Sequence, residues 1–463
     1  MGTTVVVGGG ISGLVAAELL RRRSPSGDVV ILEQSPSFGG LLGKVEAGPY
    51  GVFDLGMHTM TETGIPDLDA LLRGLLPPDE WIHLAGAARD LSGLYFAQTL
   101  QHNAHHPDLR AFPPAQYERC LTDFFLTLQR SHPIPPLHMQ AYGESRFGPV
   151  ITDLVLAPAI RKTYGRDPRE VHPLAARILP LDRVILFDEE LFQQLMAAEP
   201  LRQRLAYPEQ RNLPLQYASG RASYYPKYYG IHRVIDALID RLQRKGVVLL
   251  SNTRVSSLER RGTAIVSVQA LQNDVLVEIQ DVHQVLWTTG PISLAKCLAL
   301  ADDYGPLDPP FQTVVVNFLF AEAPQMGDLY YFYCLDESHP TYRVTNYTNI
   351  CPLAPRAGGY PICVELLLAP GTTASQDDYL RLARDELRSF GVIDPSSTEI
   401  YATAIGLSSG FPMLTCRNIT IIDRLREAIY HEGLDNLLTA GVLSEPDLFY
   451  QTDVLADLYK KIG

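Results

Sequence analysis

The chain has no apolar run long enough to cross a bilayer, no excess of positive charge and no closely spaced cysteines. A transmembrane helix needs about 20 consecutive apolar residues, and nothing in these 463 residues approaches that. The 52 acidic residues against 39 Lys and Arg leave a formal net charge of −13. So broad a negative field argues against nucleic acid or an anionic lipid surface as a main partner, while local basic clusters remain free to take a small anion. The six cysteines (Cys120, Cys297, Cys334, Cys351, Cys363, Cys416) are scattered without a CxxC pair, so buried thiols of a reduced compartment are expected, not a disulfide framework or a zinc site. No GxSxG elbow supports a serine hydrolase. The first strand begins almost at once, so no signal peptide is expected, and Gly2 lacks the Ser or Thr of a myristoylation site. Repeats, heptads and low-complexity tracts are missing too. The expectation is a cytoplasmic protein without a membrane span. At 46% hydrophobic and 20% charged it has material for two or more domains, or one with a big insertion.

What is present is concentrated in the first forty residues. Val5-Val6-Val7 runs into Gly8-Gly9-Gly10-Ile11-Ser12-Gly13, and Val29-Val30-Ile31-Leu32 ends on Glu33, twenty residues past Gly13. The apolar run predicts a buried parallel strand, and Gly8 permits the tight turn out of it. Gly10 lets the backbone approach a pyrophosphate, and Gly13 lets the helix starting near Ser12 pack on the strand. Phosphates suit the free N–H groups at that helix's positive end. Glu33, at the tip of the second strand, can accept both ribose hydroxyls of an adenosine. Strand, turn, helix and acidic residue fall in the order and spacing of a dinucleotide-binding unit.

Further along, Gly39-Gly40 is another pair suited to close backbone approach, and 53–58 reads as a strand entering a turn. From 67 to 215, helical patterns at 117–129 and 188–198 alternate with Pro-rich joints at 76–78, 112–114 and 133–136, which reads as a mainly helical insertion. Positions 230–244 form an amphipathic helix with Val234, Leu238, Ile239 and Leu242 on one face. Strands are predicted at 247–250, around Val255, and at 265–268, 275–279 and 285–290. Residues 301–404 are β-rich, with runs at 313–320, 329–335 and 362–368 and one helix near 377–389. A strand at 437–441 and a helix over about 452–461 return to the opening style. Nucleotide-binding pieces thus stand at 1–66, 216–300 and 405–463, with 67–215 and 301–404 spliced between them as a substrate domain. A simple nicotinamide dehydrogenase places its two halves one after the other; interleaving suits a flavoprotein. The predicted fold is α/β: a discontinuous Rossmann-like FAD-binding domain with an inserted α+β substrate domain.

These residues resemble the flavin-containing amine oxidase superfamily, which includes protoporphyrinogen oxidases, phytoene desaturases and, more distantly, UDP-galactopyranose mutases. Glu33 followed by Gly39-Gly40 is similar to the family's acidic residue and GG pair around the adenosine and pyrophosphate. Asp54-Leu55-Gly56-Met57-His58 resembles the turn against the isoalloxazine, which brings Gly56, Met57 and His58 to the cofactor. Lys162-Thr163-Tyr164-Gly165-Arg166-Asp167-Pro168 looks like a helix-to-loop motif of the substrate domain. Tyr225-Pro226-Lys227 and the Gly230 helix, leading to Val255, resemble the YP…G segment and its adenine-contacting valine. Tyr342-Arg343-Val344-Thr345 and Glu365 look like paired strands of the substrate domain. Gly441, then Tyr450 to Val454 with Thr452 and Asp453, is similar to the segment whose helix N-terminus meets the flavin O2, where reduction places negative charge. Two departures stand out. Ser37 occupies the place of a basic residue that usually touches a phosphate, and Gly441-Val442 replaces the Gly-Arg of mutase-like members, which counts against a pyrophosphate-clamping mutase.

The resemblance implies FAD as cofactor and an oxidoreductase in which flavin N5 abstracts hydride from a small-molecule substrate, with dioxygen or another acceptor restoring the oxidised cofactor. Candidate catalytic residues are His58, Arg343 and Tyr225. A neutral His58 can hydrogen-bond the ring or act as a base near pH 7, or it simply fills the turn. Arg343 can hold a substrate carboxylate or phosphate, or pair internally with Glu365. Tyr224, Tyr225, Tyr228 and Tyr229 around Lys227 form either an aromatic pocket wall or packing. Arg161, Lys162, Arg166 and Arg177 form an anion site or a solvated face. His102, His105 and His106 have no carboxylate or cysteine at ligand spacing, so no metal is expected. A sugar or sugar nucleotide is among the substrate options, and a homodimer is an expected assembly. Two alternatives stay open: a sugar-nucleotide isomerase like UDP-galactopyranose mutase, with no net redox change, and a non-catalytic flavin-binding scaffold.

Overall fold

The computed structural model describes residues 2–130, 135–300, 304–407 and 412–463. Part of the joint expected at 133–136 and the start of the 301–404 segment lie outside the described residues. The chain forms two compact units, one of Met1–His83, Arg221–Leu307 and Thr420–Gly463, the other of Leu84–Gly220 and Asp308–Ile419. Among the described residues no helix is long and apolar enough to cross a membrane.

The first unit is built on a five-stranded parallel sheet in the order Val248–Leu250, Val29–Leu32, Thr3–Val7, Val282–Trp287, Leu437–Thr439. Val5 pairs with Val30 on one side and Val285 on the other. Val29–Leu32 and the Val5–Val7 and Val285–Trp287 stretches are continuous apolar runs because both faces of the sheet's centre are covered. Val5, Val7, Val30, Val285 and Trp287 pack with Val255, Leu258, Ile265 and Val268, which belong to an antiparallel ribbon of Thr253–Arg261, Ala264–Gln272 and Val275–Ile279. Val6, Ile31 and Leu286, fully buried, point the opposite way. The helix Ile11–Arg23 packs beside the opening strands and against the helices His232–Arg244 and Gln451–Ile462. His232–Arg244 buries Val234, Ile235, Leu238 and Leu242. Ile235 takes the place expected for Ile239, because spacings of three and four residues put it on the inward stripe. The helix also begins later than expected, since Gly230 has φ +118° and cannot belong to it.

The second unit holds a seven-stranded sheet in the order Glu399–Gly406, Gln312–Phe320, Tyr360–Leu368, Thr341–Asn346, Tyr331–Cys334, Ser92–Phe96, Thr99–Gln101. One face is wholly apolar: Val314, Val316, Phe318, Val364, Leu366 and Phe332 pack against Ala383 and Leu387 of the helix Gln376–Ser389. That helix starts with a capping box between Ser375 and Asp378. Alternation sends Tyr331, Tyr333, Arg343, Thr345, Glu365 and Asn317 to the other face.

Four elements differ from the sequence expectation. Ser92–Phe96 and Thr99–Gln101, inside the stretch read as mainly helical, join this sheet; they are too short for periodicity to reveal. The helix Cys416–His431 was not expected, because its apolar positions are mostly isoleucine, whose branched Cβ weakens the helical signal. Glu399–Gly406 pairs antiparallel to Gln312–Phe320 at the sheet edge and is nowhere fully buried, so it lacks the apolar contrast that marks a strand.

Candidate functional site

The glycine turn is shaped by contacts that only glycine allows. Gly8 has φ +106°, and a Cβ there would stand 2.6 Å from Thr288 Oγ1. Thr288 Oγ1 in turn donates to the Val7 carbonyl at 2.9 Å. Around Gly10 there is no atom within 4 Å of the Cβ position, so open space lies over that backbone. Gly10 is also the extended N-cap of Ile11–Arg23, with no side-chain cap and no acidic residue in the first turn. The first N–H groups of a helix have no acceptor within it, and among the described residues no side-chain cap takes their place. Gly39 N–H donates to the Gly9 carbonyl at 2.8 Å, and a Cβ on Gly40 would lie 3.4 Å from Gly10 Cα. The second glycine pair therefore walls the same space. A cradle that a side chain would fill, lined by N–H groups at a positive helix end, fits a pyrophosphate.

Glu33 is buried at the end of Val29–Leu32. Its carboxylate accepts Gly9 N–H and Ser35 N–H, each at 2.7 Å, one bond per oxygen, which leaves lone pairs for further donors. It braces the glycine turn as well as standing where an adenosine ribose is expected. Thr253 N–H donates to the Glu33 carbonyl at 2.7 Å, which ties the strand carrying Val255 to the same corner. Ser12 sits in the helix's first turn, and Ser37 is exposed.

A second helix N-terminus belongs to the same unit. Gln451–Ile462 has no side-chain cap hydrogen bond, and Thr452 and Asp453 lie in its first turn. Gln451 Nε2 lies 3.4 Å from Met60 Sδ, so this helix end abuts the chain just past Gly56, Met57 and His58. Met57 is buried and His58 half-buried, and Gly56 has φ +84°. A Cβ on Gly441 would come within 2.3 Å of the Thr288 carbonyl oxygen, which explains glycine where this strand end meets its neighbour.

Asp54, at the head of that turn, is fully buried and pins it. It accepts Tyr225 Oη at 2.6 Å, Ile231 N–H at 3.0 Å and His232 N–H at 3.4 Å, with His232 Nδ1 at 3.0 Å. Tyr225, a candidate catalytic residue, is 0% exposed, and its hydroxyl donates to Asp54, so it braces the turn. Tyr224 donates to Glu62 at 2.9 Å and stacks on His83, while Tyr228 is exposed. Asp54 as an anchor was missed in the sequence; its partners lie more than 170 residues away.

In the second unit, Arg343 forms a two-pronged pair with Glu365, Nε to Oε1 at 2.8 Å and Nη2 to Oε2 at 2.9 Å. Tyr331 and Tyr333 flank its guanidinium at 6.0 and 5.8 Å. Tyr331 Oη donates to Asp90 at 2.9 Å, and burial, with Asp90 beside it, pushes that phenol well above its usual range. Of the two readings of Arg343, the internal pair is realised. The aromatic flanks were legible as tyrosines two apart on one strand face, but their target was not. The basic stretch does not converge: Arg161 pairs with Glu337 at 2.8 Å and Arg166 with Asp308 at 3.3 Å. Lys162 turns inward to the Cys334 and Thr341 carbonyls at 2.5 and 2.6 Å, and burial lowers its pKa. Arg177 is exposed at the end of Pro173–Arg177. His105 Nδ1 lies 2.9 Å from Ser92 Oγ, and its ring packs at a 41° tilt against that of His106. Among the described residues no three His, Cys, Asp or Glu side chains gather as metal ligands.

Residues 6–75 match the family model of the NAD(P)-binding Rossmann-like domain. No curated protein matches the chain. In fold the chain is similar to a reduced UDP-galactopyranose mutase, at 14% identity and TM-score 0.76, covering 100% of this chain and 95% of that one. It is similar as well to a putative protoporphyrinogen oxidase from Exiguobacterium sp. 255-15, at 15% identity and TM-score 0.69, covering 100% and 98%. An oxidoreductase from Methanosarcina mazei shares the fold at 12% identity and TM-score 0.59, with 98% of each chain covered. The chain thus contains a dinucleotide-binding Rossmann-like domain, and its whole length follows the α/β fold of these proteins. Two of them bear the names of groups that the sequence motifs resemble.

Proposed function

We propose that the chain is an FAD-dependent oxidoreductase of the amine oxidase and protoporphyrinogen oxidase type, acting on a small-molecule substrate. The observation that carries this reading is the pair of uncapped helix N-termini in one unit, at Gly10 with open space above it and at Gln451 beside Met60. A dinucleotide with one pyrophosphate needs the first; a ring that gathers negative charge on reduction is served by the second. The residues that would hold FAD are Gly8, Gly10, Ser12, Gly13, Gly39 and Gly40 at the pyrophosphate and Glu33 and Val255 at the adenosine. Gly56, Met57, His58, Gly441, Thr452 and Asp453 would serve the ring. When bound, FAD would supply a two-electron acceptor. His58, half-buried next to Met57, would orient the substrate or take its proton near neutral pH.

An anaerobic stopped-flow experiment on the flavin-loaded protein tests the reading. Loss of the oxidised-flavin absorption on adding a substrate, without any other reductant, supports it. A second reading, a sugar-nucleotide isomerase with no net redox change, is favoured by the likeness in fold to UDP-galactopyranose mutase over the whole chain. Activity that appears only after dithionite reduction, with a product isomeric to the substrate, would establish that reading and remove the first.

A further inference from the structure

We propose that this chain holds the diphosphate of its dinucleotide by neutral donors, with no cation in the cradle, and selects the cofactor by the two ends of the molecule. The inference rests on the FAD reading and concerns the same site. The strands of the first unit's five-stranded sheet run parallel, so the turns that follow them share one edge, the edge at which such sheets take nucleotides. Those turns are almost free of charge. Residues 8–13, 34–43, 251–253, 288–295 and 440–444 contain no Asp, Glu, Lys, Arg or His. Glu33, directly before the second of them, adds a negative charge. The turns also touch one another: Gly39 N–H donates to the Gly9 carbonyl at 2.8 Å, and Thr288 lies against the Cβ positions of both Gly8 and Gly441.

The cations that flank these turns in sequence are turned elsewhere. Lys44 Nζ lies 3.2 Å from Asp236 Oδ1 and 3.8 Å from Glu46 Oε1. Arg254 is exposed and precedes the buried Val255 on its strand, so alternation points it to the opposite side. The arginines of Ile11–Arg23 stand in its last turn, about 20 Å from Gly10 at the usual helical rise. That is more than a Debye length at physiological salt, roughly 8 Å. Ser37, in the place of the basic residue, is exposed. A diphosphate over Gly10 would therefore meet backbone N–H groups and the positive helix end. These dipoles act at contact, where salt screens little. What salt does screen is the repulsion from Glu33 and from a chain of net charge −13. The sign follows: salt leaves FAD affinity unchanged or raises it, the reverse of a site clamped by Arg or Lys.

Fluorescence titration of the cofactor-free full chain with FAD tests this, with a chelator present so that no metal ion supplies the missing charge. Between about 0.01 and 1 M NaCl the Debye length falls from about 30 to 3 Å, and the affinity is expected to hold within about twofold or to tighten. Inorganic pyrophosphate in about thousandfold excess is expected to leave bound FAD in place, since the two ends of the dinucleotide carry the affinity. Ser37→Arg is expected to tighten FAD by about tenfold at low salt and to lose that gain at about 1 M, with the melting point of the cofactor-free chain unchanged. Parent affinity that falls by about tenfold or more with salt means that a cation does reach the diphosphate, and overturns the proposal. So does displacement of FAD by pyrophosphate, or a Ser37→Arg chain with the parent's affinity and salt response. No FAD bound at any salt overturns the FAD reading itself, and this inference with it.

Discussion

Gly13 lies directly beneath the carbonyl of Gly8: a Cβ on Gly13 would stand 1.9 Å from the Gly8 carbonyl oxygen. Gly10, in the same motif, has no atom within 4 Å of the corresponding position. One glycine serves the fold and the other serves what the fold would hold.

Substituting each separates the two roles. Gly13→Ala forces helix and strand apart and is expected to destabilise the chain by ~1–3 kcal/mol or more, seen as a lower melting point even without cofactor. Gly10→Ala keeps a backbone that alanine tolerates, φ −72° and ψ 179°, so the melting point of the cofactor-free chain should not move. Its methyl would occupy the pyrophosphate space, and FAD titration should show affinity down by about tenfold or more. Unaltered FAD binding by Gly10→Ala would refute the cradle.

Tyr225 and Asp54 give a graded pair. Tyr225→Phe removes one hydrogen bond to a carboxylate and should cost about 1.5–3 kcal/mol. Asp54→Ala strands several buried donors at once and should cost more than Tyr225→Phe. Denaturant unfolding of both variants checks the order. Because the Tyr225 hydroxyl braces the turn, turnover by the folded Tyr225→Phe enzyme should stay close to that of the parent; a large fall in kcat would return Tyr225 to the chemistry.

The sequence was most legible where backbone geometry itself demands a residue type. Gly8, Gly13 and Glu33 could be placed from one strand-turn-helix pattern, since each answers a local constraint within forty residues. Cys416–His431 was invisible because its isoleucines carry a strand-like signal and only packing makes them helical. The Asp54 anchor and the Asp90–Tyr331 bond join residues far apart in the chain, and no local spacing encodes such a meeting. The Arg343–Glu365 pair lay between these cases: both strands were expected, and only the register decided that the two side chains meet.

Acid should weaken the fold through His105 and His106. Burial holds both imidazoles below their ordinary range, with Arg183 adding to it and Asp90 and Asp182 opposing it at His105. The folded chain keeps them neutral, whereas the unfolded chain protonates them below pH ~6.5. Unfolding therefore takes up protons, and stability falls as pH drops below that value, by up to ~1.4 kcal/mol per pH unit for each ring. Above about pH 7 the two contribute no slope. Denaturant midpoints measured between pH 5 and about 7 should show the decline, and His106→Leu should flatten it. A profile identical in parent and variant would mean that other groups carry the effect.

Arg343 and Glu365 lie almost wholly out of solvent, with side chains 13% and 7% exposed. Glu365→Leu leaves a buried cation without its counter-charge and should cost ~3–5 kcal/mol. Adding Arg343→Met removes the stranded charge, and the double variant should regain most of that loss, because an apolar pair of similar volume replaces an ion pair at little net cost. A double-mutant cycle on unfolding free energies measures the recovery. The refolded double variant then decides between the two roles of Arg343. If the pair only fills and orders the sheet face between Tyr331 and Tyr333, KM and kcat for any substrate found should stay near the parent values. If the guanidinium also holds an anionic group of the substrate, KM should rise by about tenfold or more while the fold stays intact, and the substrate sought should carry a carboxylate or phosphate.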